Sequence, residues 1–143
     1  MEDFDTNEID ALNITDLIQL FNEFLYDLLQ KLNQILVDED LSYCYNMFNS
    51  IIQMNQRLII DQFNINVLEY YDKIKEKDID FFLRENDSVK KYGESESVVK
   101  RIFKFKSLFK QLDKKNQEML FYYLNTLCYI GARYFTLTEL EKK

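Results

Sequence analysis

Seven cations, Lys100, Arg101, Lys104, Lys106, Lys110, Lys114 and Lys115, fall within 16 residues of one segment, and on a helical wheel Phe103 stands among them. Lysines spaced in this way contact phosphates while an exposed aromatic stacks on unpaired bases, which is the chemistry of single-strand nucleic-acid binding. Lys90 and Lys91 precede the run. Against that chemistry stands the net charge of the whole chain, −7, because a nucleic-acid binder usually carries a basic domain rather than one basic helix. Two plainer roles come first. The cations pair with acidic residues of the first long helix or simply keep their face solvated; failing that, they meet a protein partner with an acidic patch. The candidate interaction surface is therefore Lys100, Arg101, Phe103, Lys104, Lys106, Lys110, Lys114 and Lys115. Membrane-surface binding by the same segment is disfavoured, since its apolar stripe is needed by the core.

Other chemistry is excluded by composition. The chain has no His, so no Ser-His-Asp or Cys-His pair and no imidazole for proton transfer or zinc. Cys44 and Cys128 are far apart in sequence, and each lies in an apolar helical pattern, which reads as two reduced core thiols. Neither Gly93 nor Gly131 has a partner at the spacing of a phosphate-cradling loop. Asp38, Glu39, Asp40 and Asp72, Glu76, Asp80 are the densest carboxylates. Asp72 and Glu76 share a helix face at i, i+4, but lysines interleave with them and no Glu-x-x-His motif exists, so a solvated face is expected rather than a metal site. No catalytic residue, metal or cofactor is expected, and the chain is read as a non-enzyme.

The elements that position these residues are helices. The sequence has no Pro and only two Gly, too few turn formers for an all-β fold. Its 143 residues suffice for one domain, and an apolar fraction of 47% supports a core. Residues 1–14 read as an acidic, flexible arm docking through Ile9, Leu12 and Ile14, with 15–143 as a single helical domain. Thr15 or Asn13 caps a first long helix whose stripe Leu17, Phe21, Phe24, Leu25, Leu28, Leu32 and Ile35 ends near Val37. A second helix is expected from about Leu41 to Phe63, and a third, capped by Asn64 or Asn66, carries Val67, Leu68, Tyr71 and Ile74. A compact turn over 79–83 plugs the core with Phe81 and Phe82.

Residues 86–97 read as the one long loop. Ser95 or Ser97 caps a helix to Leu112 with Val98, Ile102, Phe105, Leu108, Phe109 and Leu112 inward. After a break over 113–116, a last helix runs to about Thr136, apolar almost all round, with Leu120, Tyr123, Leu124, Leu127, Cys128, Tyr134 and Phe135 on one side. A helix without a broad polar face is buried from several directions, at the centre of the fold or in an oligomer. Seven tyrosines, Tyr43, Tyr45, Tyr70, Tyr71, Tyr122, Tyr123 and Tyr129, favour core or half-buried positions over a contact patch.

Charge is divided along the chain. Residues 1–83 hold 5 Lys/Arg against 17 Asp/Glu, residues 84–115 hold 10 against 5, and the remainder is balanced. No run of about 18 apolar residues occurs, and the acidic start is the opposite of a signal peptide's basic n-region, so an intracellular, reducing compartment is expected.

Tyr71 to Leu83, YDKIKEKDIDFFL, followed by FKFKSLFKQLDKKNQEMLFYYLNTLCYIGARYF over 103–135, resembles small helical proteins of large nucleocytoplasmic DNA viruses of algae and protists. The likeness rests on hydrophobic spacing, on Lys77-Asp78 with Phe81-Phe82, and on the Lys115-Asn116 step, and it covers about the last half of the chain. Where the pattern usually places a Trp, this chain has Phe109 and Phe121. The resemblance carries no activity. It implies a viral product, either a virion component or a host-interaction factor, in host cytoplasm or virion.

The resulting expectation is an all-α, single-domain bundle of five or six helices with a largely buried C-terminal helix. Its function is non-enzymatic protein interaction, self-association or structure, with nucleic-acid binding through 98–115 as the alternative. A protein-interaction role predicts an exposed apolar patch or groove.

Overall fold

The computed structural model describes residues 5–78, 80–81 and 108–142. It is an all-α bundle, with no strand among the described residues. Each long helix begins on a side-chain cap that satisfies an otherwise unpaired N–H. Helix α1, Thr6–Asp10, starts on Asp5, whose carboxylate accepts from Asn7 N at 2.9 Å. Helix α2, Ile14–Ile35, starts on Asn13, which accepts from Asp16 N at 2.8 Å, so Asn13 rather than Thr15 is the cap. Helix α3, Glu39–Met54, starts on Asp38, which accepts from Leu41 N at 2.9 Å.

The second long helix of the sequence is two helices. The chain breaks at Asn55, whose backbone is extended and whose side chain accepts from Arg57 N at 3.0 Å, and it resumes as α4, Leu58–Asn66. Asn side chains compete for backbone N–H groups in this way and open a helix locally. Asn22 on α2, itself buried, secures the break by donating from Nδ2 to Gln56 O at 3.0 Å. The expected third helix is also corrected. Asn64 and Asn66 are the last residues of α4 rather than caps, and a 3-10 turn over Leu68–Tyr70 leads into the short α5, Tyr71–Lys75. Of the expected plug over 79–83, Phe81 packs on Tyr70 with ring centroids 5.6 Å apart, while 79, 82 and 83 lie outside the described residues.

Helix α5 closes on Lys77, which has φ of 53°, with Lys77 N bonded to Ile74 O and Asp78 N to Lys73 O, both at 3.1 Å. That pairing is the Schellman arrangement, whose left-handed residue is normally Gly because a Cβ crowds the backbone there. Lys77→Gly is therefore expected to raise stability by about 0.5–1 kcal/mol, read as a higher urea midpoint at unchanged slope.

The last helix, α6, spans Lys114–Glu141, with Asp113 as its cap. It starts within the expected break and runs five residues past Thr136, for an axial length of about 42 Å. Its most extensive packing is on α2, then on α4 and α5, which makes it the centre of the bundle. Leu17, Phe21, Leu25, Leu28 and Leu32 of α2 are fully buried with Leu120, Leu124, Leu127 and Cys128 of α6. Phe63 meets Phe21 edge-on at 5.0 Å, and Phe109 packs on Phe121 at 4.8 Å. Leu108, Phe109 and Leu112, the described end of the Lys-rich segment, are all buried as its stripe requires. The 86–97 loop and the rest of that segment lie outside the described residues. The acidic arm is partly ordered, since α1 forms within it and Ile9 enters the core.

Candidate functional site

Of the eight residues proposed from sequence, Lys110, Lys114 and Lys115 are described, and all three are exposed beside the start of α6. Lys100, Arg101, Phe103, Lys104 and Lys106 lie outside the described residues. Lys110 thus lies on the solvent side of a turn whose described apolar residues, Leu108, Phe109 and Leu112, are in the core.

Two of the carboxylates named from the sequence, Asp38 and Glu76, make local contacts. Asp38 is a helix cap, and Lys73 lies 4.0 Å from Glu76 and 3.7 Å from Asp78. No cluster of three or more His, Cys, Asp or Glu able to hold a metal occurs among the described residues. Cys44 and Cys128 are both buried and not joined in a disulfide, and burial pushes the Cys128 thiol far above its ordinary value.

Several tyrosines act as struts between helices. Tyr26 on α2 donates to Tyr45 on α3 at 3.3 Å, Tyr129 on α6 donates to Asp10 at 2.7 Å, and Tyr134 donates to Asp61 on α4 at 2.8 Å. Tyr123 donates to Asp27 on α2, whose other partner is Lys31 at 2.8 Å. Burial acts to raise the Asp27 pKa, but the hydrogen bonds from Lys31 and Tyr123 outweigh it and hold this carboxyl below its ordinary value. A depressed folded-state pKa contributes stability above the unfolded value that disappears as pH falls through the folded one. Asp27→Asn should thus flatten the acid limb of the stability curve below about pH 4. The change is small, because both side chains of the pair are 46% exposed and well screened. Urea midpoints of the two chains between about pH 2 and 5 measure it.

Among the described residues, an open groove of about 500 Å³ lies between α4 and the last turns of α6. Ile65 and Phe135, 67% and 52% exposed, stand on its two walls, with Leu68 beside them. Its polar edge carries Asp61, and Glu139 paired with Lys142 at 3.2 Å. Burial, and then the hydrogen bond to Asp61, push the Tyr134 phenol up to about 12, so it remains a neutral donor on the groove wall.

Sequence reasoning missed this groove. The helical pattern puts Phe135 on the inward stripe with Tyr134, but only Tyr134 is buried. The available signal was Ile65, which stands between Asn64 and Asn66. Comparison with known protein families, curated proteins and solved structures gives no match.

Proposed function

We propose that this chain is a non-enzymatic helical protein-interaction protein that presents the α4–α6 groove to another protein. The observation that carries the proposal is the pair Ile65 and Phe135, two large apolar side chains more than half exposed on facing walls of one groove. Apolar residues scattered singly over a surface are ordinary; two that share a concavity edged by polar groups are the usual form of a contact site. A sequence without His supports a binding role over catalysis, and the resemblance over 71–135 supports a viral product that meets host or virion proteins. Two buried cysteines without a disulfide fit a reducing compartment, and no helix among the described residues is long and apolar enough to cross a membrane.

The test is cross-linking followed by mass spectrometry in cells producing the chain. A partner retained by wild type and by an exposed-site control, Met54→Glu, but lost with Ile65→Glu plus Phe135→Glu, is expected. Equal recovery with the groove variant sinks the proposal.

Nucleic-acid binding is the second reading, favoured by one observation: Lys110, Lys114 and Lys115 are all exposed at the described end of the basic run. It requires affinity for a short single-stranded oligonucleotide that falls steeply with salt, and that disappears with Lys100→Glu, Lys104→Glu and Lys110→Glu together. Salt-insensitive binding removes it.

A further inference from the structure

Helix α1 has five residues, and a helix of that length has no stability of its own in water. Its helical form comes from docking, and the docking is slight. Ile9 is its only buried side chain. Asp10 and Thr6 supply further contacts: the Asp10 carboxylate accepts from Tyr129 at 2.7 Å, its carbonyl accepts from Arg133 Nη2 at 3.3 Å, and Thr6 hydrogen-bonds with the Tyr129 hydroxyl. Asp5, Thr6, Asn7 and Glu8 face solvent.

The receiving surface is more capable than this occupant requires. Tyr129 and Arg133 lie one turn apart on α6, and a cleft of about 350 Å³ continues from Arg133 to Leu137 and Glu141 beneath the 11–14 connector. Arg133 Nε is buried without an acceptor among the described residues, and the guanidinium holds α1 only through one long bond to a carbonyl. A guanidinium carries five donors in a planar fork matched to carboxylate, and a buried donor left without a partner is costly. In cis, however, the Asp10 carboxylate accepts from Tyr129 through Oδ1, and Arg133 meets α1 at the Asp10 carbonyl rather than at a carboxylate.

We infer that α1 is an autoinhibitory plug in a docking seat on α6, and that the seat takes in trans an acidic amphipathic helical segment of a partner protein. The chemistry of that partner is displayed by the plug itself. It needs a branched aliphatic side chain for the Ile9 socket, a carboxylate for Tyr129 and a second carboxylate for Arg133. This goes beyond the groove reading, because the seat residues and the groove residues lie roughly 150° apart around the α6 axis at about 100° per residue. A docked cis segment weakens the apparent affinity of its competitor by the fraction of time the seat is open.

The test uses the full chain, labelled for amide NMR, and a synthetic peptide of residues 5–14 as probe. Ile9→Ser, which removes the anchor, should tighten the apparent affinity for the peptide by about ten- to a hundred-fold over the unmodified chain, with shifts centred on Tyr129, Arg133 and Leu137. A second probe, the same peptide with Ala11→Asp, adds a carboxylate on the cleft that Arg133 lines. Arg133→Gln in the released chain should weaken binding of this probe about ten-fold more than that of the unmodified peptide, since only the former offers the guanidinium a carboxylate. Equal affinity in released and unmodified chains, shifts elsewhere, or an equal effect of Arg133→Gln on the two probes overturns the proposal. Should Ile9→Ser disturb the bundle, amide exchange in the unmodified chain decides: residues 6–12 should open far more readily than α2 and α6, and protection as deep as that of α6 makes α1 integral and overturns it. Ile65→Glu with Phe135→Glu should leave peptide binding intact, which separates failure of this inference from failure of the groove reading.

Discussion

Phe109→Ala is expected to lower stability by about 3–5 kcal/mol, a large part of the roughly 5–15 kcal/mol that holds a domain together. Phe109 is fully buried, its ring packs on Phe121 at 4.8 Å, and its carbonyl accepts from Gln117 Nε2 at 2.9 Å. Truncation removes the transfer free energy of the ring, removes an aromatic contact and leaves a cavity at the foot of α6. A urea midpoint that falls sharply with unchanged slope is the expected result, and Phe109→Leu should cost markedly less because it conserves most of the volume. A loss under about 1 kcal/mol would mean that residues 108–112 are an appendage, not part of the cooperative core. The result bears on function as well. Lys110 shares this turn, so a firmly packed Phe109 fixes where the described end of the basic run is presented.

Where one apolar period met one partner surface, the fold was legible in the sequence. The stripe from Leu17 to Leu32 and the short polar side chain at Asn13 specified α2 nearly to the residue. The all-round apolar character of 120–130 correctly placed α6 at the centre, because no polar face was left to turn to water. The break at 55–57 was not legible. Apolar residues continue from Ile51 to Leu58 and Ile59 in helical phase, and the deciding interactions are one Asn55 side-chain bond and the reach of Asn22 from another helix. The second of these is tertiary and leaves no local trace. Phe135 misled for a similar reason: it follows Tyr134, but nothing in its own helix shows that α4 ends at Asn66 and leaves that wall uncovered. Likewise the sequence shows an acidic arm with Ile9 among its docking residues, yet the Tyr129 and Arg133 contacts come from 119 and 123 residues away.

Gly131→Ala is the second large effect, and its sign opposes the usual rule. Inside a helix this exchange ordinarily stabilises by about 1 kcal/mol, since Gly loses the most backbone entropy on folding. At this position α4 lies against α6 so closely that a Cβ on Gly131 would stand 2.4 Å from Asn64 Oδ1 and 3.6 Å from the Phe63 ring. The Asn64 amide is not free to swing away, because its Nδ2 donates to Gly131 O at 3.0 Å and ties the two helices together. Relief of the clash breaks that bond and displaces a buried amide, at about 1 kcal/mol for the bond and about 1–3 kcal/mol for the polar groups left without partners. The losses exceed the propensity gain, so a net destabilisation of about 1–2 kcal/mol is expected by urea unfolding. Asn64→Ala alone should also destabilise, through loss of the interhelical bond to the Gly131 carbonyl. The double substitution should recover part of the sum, a coupling of about 0.5–3 kcal/mol that marks direct contact. Full additivity would place the clamp elsewhere. The same pair sets the width of the groove, since Asn64 precedes Ile65 and Gly131 lies one turn before Phe135. Gly131→Ala should therefore weaken binding at the groove even where the protein remains folded, while Lys77→Gly, at a residue that is not among those lining it, should leave it unchanged.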